Sequence, residues 1–89
     1  MSWRFEILES AKPDFEKLDS YLADRVREKL EWFVGHFEEQ RPFALSGEFR
    51  SSFKLRVGDW RIVYEVGNQE QVVYVVAIEH RSKVYKKRR

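Results

Sequence analysis

The sequence predicts an α+β domain. Two N-terminal helices pack on one face of a small, largely antiparallel four-stranded sheet. Three observations lead there. Apolar residues recur every three or four positions from Phe15 to Phe37. From Phe49 the apolar period changes to two. Two turn signals, Gly58-Asp59 and Gly67-Asn68-Gln69-Glu70, divide that second half into three strands. The element order is β-α-α-β-β-β, with helices and strands grouped rather than alternating.

Residues 3–8 set Trp3, Phe5 and Ile7 against Arg4 and Glu6, as in a short strand with one buried face. Whether this strand runs parallel or antiparallel to its neighbour is left open by the sequence. Pro13 and Asp14 then open a helical region, with the acidic residue suited to a first turn. Phe15, Leu18, Leu22, Val26, Leu30, Phe33 and Phe37 form one apolar stripe. Asp19-Ser20 supplies a break and a new N-cap, so two helices are expected rather than one. Gly35 lies near the end of the pattern, and Arg41-Pro42 closes it.

Phe49, Ser51, Phe53, Leu55 and Val57 next alternate with Arg50, Ser52, Lys54 and Arg56. Gly58-Asp59 reads as a two-residue hairpin loop with glycine first. Trp60 to Val66 is the return strand, and the apolar run from Val72 to Ile78 suits a central one.

With 89 residues and no repeat, linker or low-complexity tract, one domain spans residues 1–89, ending in a frayed basic tail at 86–89. The 7 Phe, 4 Tyr and 3 Trp supply large core side chains to a chain of this size. Without cysteine, no disulfide framework or thiolate metal site is available. The start lacks an apolar segment behind basic residues, and no stretch has the run of about 18 apolar residues that marks a membrane span. A cytoplasmic protein is expected. No cofactor motif stands out.

Charge divides the chain. Residues 1–48 carry 7 Lys/Arg against 11 Asp/Glu, and residues 49–89 carry 10 against 4. A two-residue loop fixes the hairpin register: Val57 opposite Trp60, Arg56 opposite Arg61, Leu55 opposite Ile62, Lys54 opposite Val63. One face then carries Phe53, Leu55, Val57, Trp60, Ile62 and Tyr64 for the helices to cover. The other gathers Arg50, Lys54, Arg56 and Arg61. Like charges directly across a strand pair destabilise it. A bound polyanion accounts for Arg56 against Arg61; the alternative is that the guanidinium groups splay into water or find a carboxylate such as Glu65 or Glu79. From His80 to Arg89 there are six more Lys/Arg and no carboxylate. Within this stretch His80, Lys83 and Lys86 are candidate nucleic-acid contacts. Tyr85 falls four residues after Arg81, where one helical turn would unite them. A tyrosine among arginines can stack an unpaired base while cations hold its phosphate.

The segment Phe53-Lys-Leu-Arg-Val-Gly-Asp-Trp-Arg-Ile-Val-Tyr-Glu-Val66, followed by Ala77-Ile-Glu-His-Arg-Ser-Lys-Val-Tyr85, resembles the RelE/ParE superfamily of bacterial and archaeal toxins. Leu45-Ser-Gly47 resembles its Leu-x-Gly before the hairpin. RelE-like members cut messenger RNA in the ribosome, whereas ParE-like members inhibit DNA gyrase. The resemblance implies Lys54, Arg61, Arg81 and Tyr85 as catalytic residues and Arg56 as a nucleic-acid contact; Arg50, one strand repeat from Ser52 on the same face, is a further candidate contact. It also implies a cognate antitoxin and ribosome-bound mRNA as partners. Ser52 stands where RelE-like proteins carry the first of two lysines. Three readings follow: an RNA-cutting toxin, a non-catalytic gyrase inhibitor, or a disabled nucleic-acid-binding homologue.

For the first, metal-independent chemistry is expected, because no His pair or carboxylate cluster has metal-ligand spacing. RNA brings its own nucleophile, the 2′-hydroxyl. Arg61, with Arg56 nearby, suits the charge that builds on phosphorus. Lys54 is the candidate base, since neighbouring cations lower a lysine's pKa from about 10.4. The resemblance implies Arg81 at the leaving oxygen and Tyr85 on the adjoining base.

Overall fold

The computed structural model describes residues 2–40 and 53–82. Strand β1 covers Arg4–Ile7. A 3₁₀ turn at Glu9–Ala11 leads into a five-residue helix α1, Lys12–Glu16, and a sixteen-residue helix α2, Ser20–Gly35. A further single turn, α3, spans Phe37–Gln40. The remaining strands are β2 (Phe53–Val57), β3 (Trp60–Gly67) and β4 (Val72–His80).

The break between α1 and α2 falls at the expected Asp19, whose Oδ1 accepts the Leu22 amide at 2.8 Å. That bond satisfies one amide that the first helical turn cannot pair internally. Helix α2 then buries Val26, Leu30 and Phe33 on one side. The extra turn α3 carries Phe37 to Trp3, ring centroids 4.3 Å apart, and Trp3 Nε1 donates to Glu38 Oε2 at 2.9 Å. Two apolar clusters fill the space between helices and sheet. One joins Val26 and Leu30 to Val57, Ile62, Val75 and Ile78; the other joins Trp3, Phe33 and Phe37 to Tyr64 and Val73.

Sheet order is β1-β4-β3-β2. The last strand in sequence is therefore central, antiparallel to β3 and parallel to β1. Hairpin β2–β3 adopts the predicted register, from Lys54 opposite Val63 to Val57 opposite Trp60. Gly58 makes this possible at φ 58°, where a side chain would be strained.

Strand β4 departs from simple alternation. Val63 pairs with Ala77 but Tyr64 pairs with Val75, so Val76 is an extra residue, a β-bulge. Its carbonyl is taken by Ser10 Oγ at 2.8 Å, and the Ile78 amide by Asp14 Oδ2 at 3.1 Å. The bulge inverts the order of faces after Val75. Val73, Val75 and Ile78 all reach the helices, while Glu79 turns to the open side. The apolar run expected to form a central strand does so, between β1 and β3, with no exposed residue along it and a shift of face at the bulge.

Candidate nucleic-acid interface

The face of the sheet away from the helices carries Lys54 and Arg56 on β2, Arg61 on β3 and Glu79 on β4. Arg56, Arg61 and Glu79 form one row across three strands; Lys54, Val63 and Ala77 form the next. Arg61 thus has a cation on one side and a carboxylate on the other. Lys54 and Arg56 are exposed and Arg61 is half-buried. The Arg61 guanidinium folds towards the hairpin turn, with Nη1 3.2 Å from the Trp60 carbonyl and 3.5 Å from that of Gly58.

Arg81 reaches the same turn from the end of β4. Its amide donates to the Asp59 carbonyl at 2.8 Å, and its Nη1 lies 3.6 Å from Asp59 Oδ1. One arginine from β3 and one just past the end of β4 therefore converge on Gly58-Asp59. His80 is set differently. It pairs in register with Trp60, and the rings meet edge to face at 5.1 Å. Because of the bulge, His80 shares the helix-facing side with Trp60 rather than the side that carries Arg61. Its Nδ1 also lies 3.0 Å from Ser82 Oγ. His80, expected among the nucleic-acid contacts, is held at the sheet's end by a ring and a hydroxyl. Arg50, Ser52, Lys83, Tyr85 and Lys86, the Leu45-Ser-Gly47 segment and the basic tail lie outside the described residues.

The basic cluster gives way along β3 to acidic groups, with Arg4 on β1 the cation two residues from Glu6 on the same face. Glu6, Tyr74 and Glu65 form a row across β1, β4 and β3. The Tyr74 hydroxyl donates to Glu70 Oε2 at 3.1 Å. Burial and then this carboxylate raise its pKa above 10.0; the charge of Glu6 adds to the rise, and Arg4 opposes it.

At the other edge, a groove of about 390 Å³ separates α2 from the end of β2. Arg25, Glu28 and Lys29 line it from the helix, and Arg56, Val57 and Gly58 from the hairpin. Arg25 and Lys29 are absent from the residues that sequence pattern alone singles out. Their signal was present: they lie four apart on the flank of α2, beside its apolar stripe. Only the packing of α2 beside β2 joins them to Arg56. Among the described residues, no group of three or more His, Asp or Glu side chains is gathered as a metal ion would need, and no helix is long and apolar enough to cross a membrane.

The fold is similar to that of solved RelE toxins. The chain of the RelBE2 toxin–antitoxin complex of Mycobacterium tuberculosis superposes with a TM-score of 0.73 at 20% identity, covering 91% of this chain and all of that one. A free-state variant of Escherichia coli RelE gives 0.67 at 27%, with 97% and 93% covered. The RelE–RelB complex of Pyrococcus horikoshii gives 0.71 at 20%, with 93% and 99% covered. A sequence search among curated proteins finds no match. Residues 5–85 match the family described as the ParE toxin of the type II toxin–antitoxin system parDE. The chain belongs to that family, within the RelE/ParE toxin superfamily.

Proposed function

We propose that this protein is the toxin of a type II toxin–antitoxin pair and acts as a ribosome-dependent mRNA endoribonuclease, neutralised by a cognate antitoxin. The observation that carries the reading is the gathering of Arg61 and Arg81 at the Gly58-Asp59 turn beside exposed Arg56 and Lys54. Cations aimed at one point on a sheet suit the extra negative charge of a phosphate under attack.

In this reaction the RNA 2′-oxygen attacks the adjoining phosphorus and the bond to the 5′-oxygen breaks. One proton leaves the 2′-hydroxyl and one arrives at the 5′-oxygen, the latter from solvent water. Lys54 is assigned the first transfer. Arg61 and Arg56 hold the phosphorane oxygens through planar, always-charged forks. Arg81 sits at the leaving oxygen, where it stabilises charge, and Tyr85 stacks on the neighbouring base. The set lacks a paired acid and base, so holding the 2′-oxygen in line carries much of the rate. The ribosome supplies that by presenting a bent message, and naked RNA is cut slowly. The chemistry needs no metal or organic cofactor.

A second reading has one observation in its favour: the family match is to ParE, whose members inhibit DNA gyrase. Adding the purified protein to a reconstituted translation reaction and mapping 5′ ends separates the two, with a no-ribosome control and the Arg61→Ala and Arg81→Ala variants alongside. Ribosome-dependent cuts that vanish in both variants support the ribonuclease. A folded protein that makes no cuts but blocks supercoiling by gyrase supports the inhibitor.

A further inference from the structure

The two ends of the open face constrain any polyanion that lies on it. Towards β1 a nucleic-acid strand would meet Glu6, Glu65 and Glu70 around Tyr74, three carboxylates against the cation Arg4. Past β2, the sheet edge, it would meet Arg56 again, now as one wall of the groove whose other wall holds Arg25 and Lys29. Arg56 belongs to both surfaces. The favourable path therefore leaves the sheet over β2 and enters the groove.

The flank of α2 is built to keep those cations in place. Tyr21 and Trp32 are the large apolar side chains most exposed among the described residues, at 70% and 43%. Each carries a cation of the groove. The Arg25 guanidinium lies 5.8 Å from the Tyr21 ring centroid, with Nη1 3.4 Å from its hydroxyl. Lys29 Nζ lies 5.1 Å from the Trp32 ring, and His36 stacks on that ring at 4.7 Å. Tyr21, Arg25, Lys29, Trp32 and His36 follow one another at helical spacing along a single stripe. Rings beneath long cationic side chains limit their freedom before a ligand arrives, which lowers the entropy cost of binding.

We infer that the groove between α2 and β2 is a second phosphodiester site, in which Arg25, Lys29 and Arg56 hold the backbone of the same RNA strand that crosses the sheet face. Glu28 on the groove wall limits its affinity. The site rests on the nucleic-acid reading of the sheet, and the test keeps the two apart.

The probe is a fluorescein-labelled single-stranded oligouridylate, titrated with the full chain by anisotropy over a series of salt concentrations. Arg25→Ala with Lys29→Ala is expected to weaken binding about tenfold. It should flatten the slope of log K against log salt by about 1.4, since each neutralised phosphate on a single strand accounts for about 0.7 of that slope. Glu28→Gln is expected to tighten binding about threefold, in line with one repulsive charge removed. Tyr21→Leu with Trp32→Leu should weaken it less than removal of the two cations does.

Unchanged affinity and slope in the double cation variant, beside a clear loss in Lys54→Ala/Arg61→Ala, would overturn the groove and leave the sheet face standing. No binding by the parent chain would remove the sheet-face reading and the groove with it. Should the double variant melt early, Glu28→Gln decides alone, and unchanged binding there refutes the site. If the double variant keeps the RNA but no longer binds an acidic helical peptide that the parent holds, the groove is a protein-docking surface and the inference is wrong.

Discussion

At the β2 end of the open face, Lys54, Arg56 and Arg61 project from two strands, and Arg81 arrives at their shared turn. At the β1 end, the same pleated backbone carries Glu6, Glu65 and Tyr74, with Glu70 on the tyrosine hydroxyl. Both ends belong to one sheet and are covered from behind by the same helices. They differ in what the side chains can attract. A sheet face is therefore not one surface. Its polarity changes along β3, from Arg61 to Glu65, as well as from strand to strand, and the net charge of the chain hides it.

The largest expected effect breaks this comparison directly. Arg61→Ala should lower ribosome-dependent cutting about 100-fold, in the range that follows removal of one charge-stabilising donor. Glu65→Ala, on the same strand at the other end, should leave the rate within about twofold. Equal losses, read as initial rates of 5′-end formation, would mean that the two ends are not distinct. Glu65→Lys should then strengthen RNA binding several-fold, with a salt slope steeper by about 0.7 for one further phosphate neutralised; anisotropy reads this.

A smaller effect separates function from stability. Arg56→Thr removes the like charge facing Arg61 and should stabilise the fold by about 0.2–1 kcal/mol in urea unfolding, while weakening RNA binding. Loss of stability instead would show that Arg56 is held by its own contacts. The smallest effect concerns pH. The tyrosine pKa values of Tyr64, raised by burial, and of Tyr74, raised by burial and Glu70, lie above 10.0 in the folded chain. Their contribution is complete below about pH 10 and is lost as pH climbs through the raised values. Tyr64→Phe should flatten the alkaline fall in stability. Glu70→Gln with Glu6→Gln should move the ultraviolet titration of Tyr74 back towards an ordinary tyrosine, and an unmoved titration would leave the part of these carboxylates without support.

Much of the fold was legible because its signals are local. Gly58-Asp59 fixed the hairpin register, and with it the company of Lys54, Arg56 and Arg61. Asp19 marked the start of α2. What was not legible depends on distant partners. The parallel pairing of β1 with β4 joins Arg4 to Val72. The bulge at Val76 depends on Ser10, with Asp14 holding the next turned amide. No alternation rule read along β4 alone could find it, nor the pairing of His80 with Trp60 that it brings about. Arg25 and Lys29 look like ordinary helix-flank cations until α2 is placed beside β2.

The position of β4 has a consequence for how the molecule comes into being. It is the last described strand to be synthesised, yet it lies between β1 and β3. A chain halted before Val72 leaves β1 with no neighbour and β3 with one open edge. It also lacks Arg81, whose anchoring to Asp59 comes only after β4 is in place. An interrupted translation of this protein thus yields an incomplete sheet and no assembled cation cluster. Completion of the sheet, and with it the Arg81–Asp59 contact, waits on β4 by strand order alone.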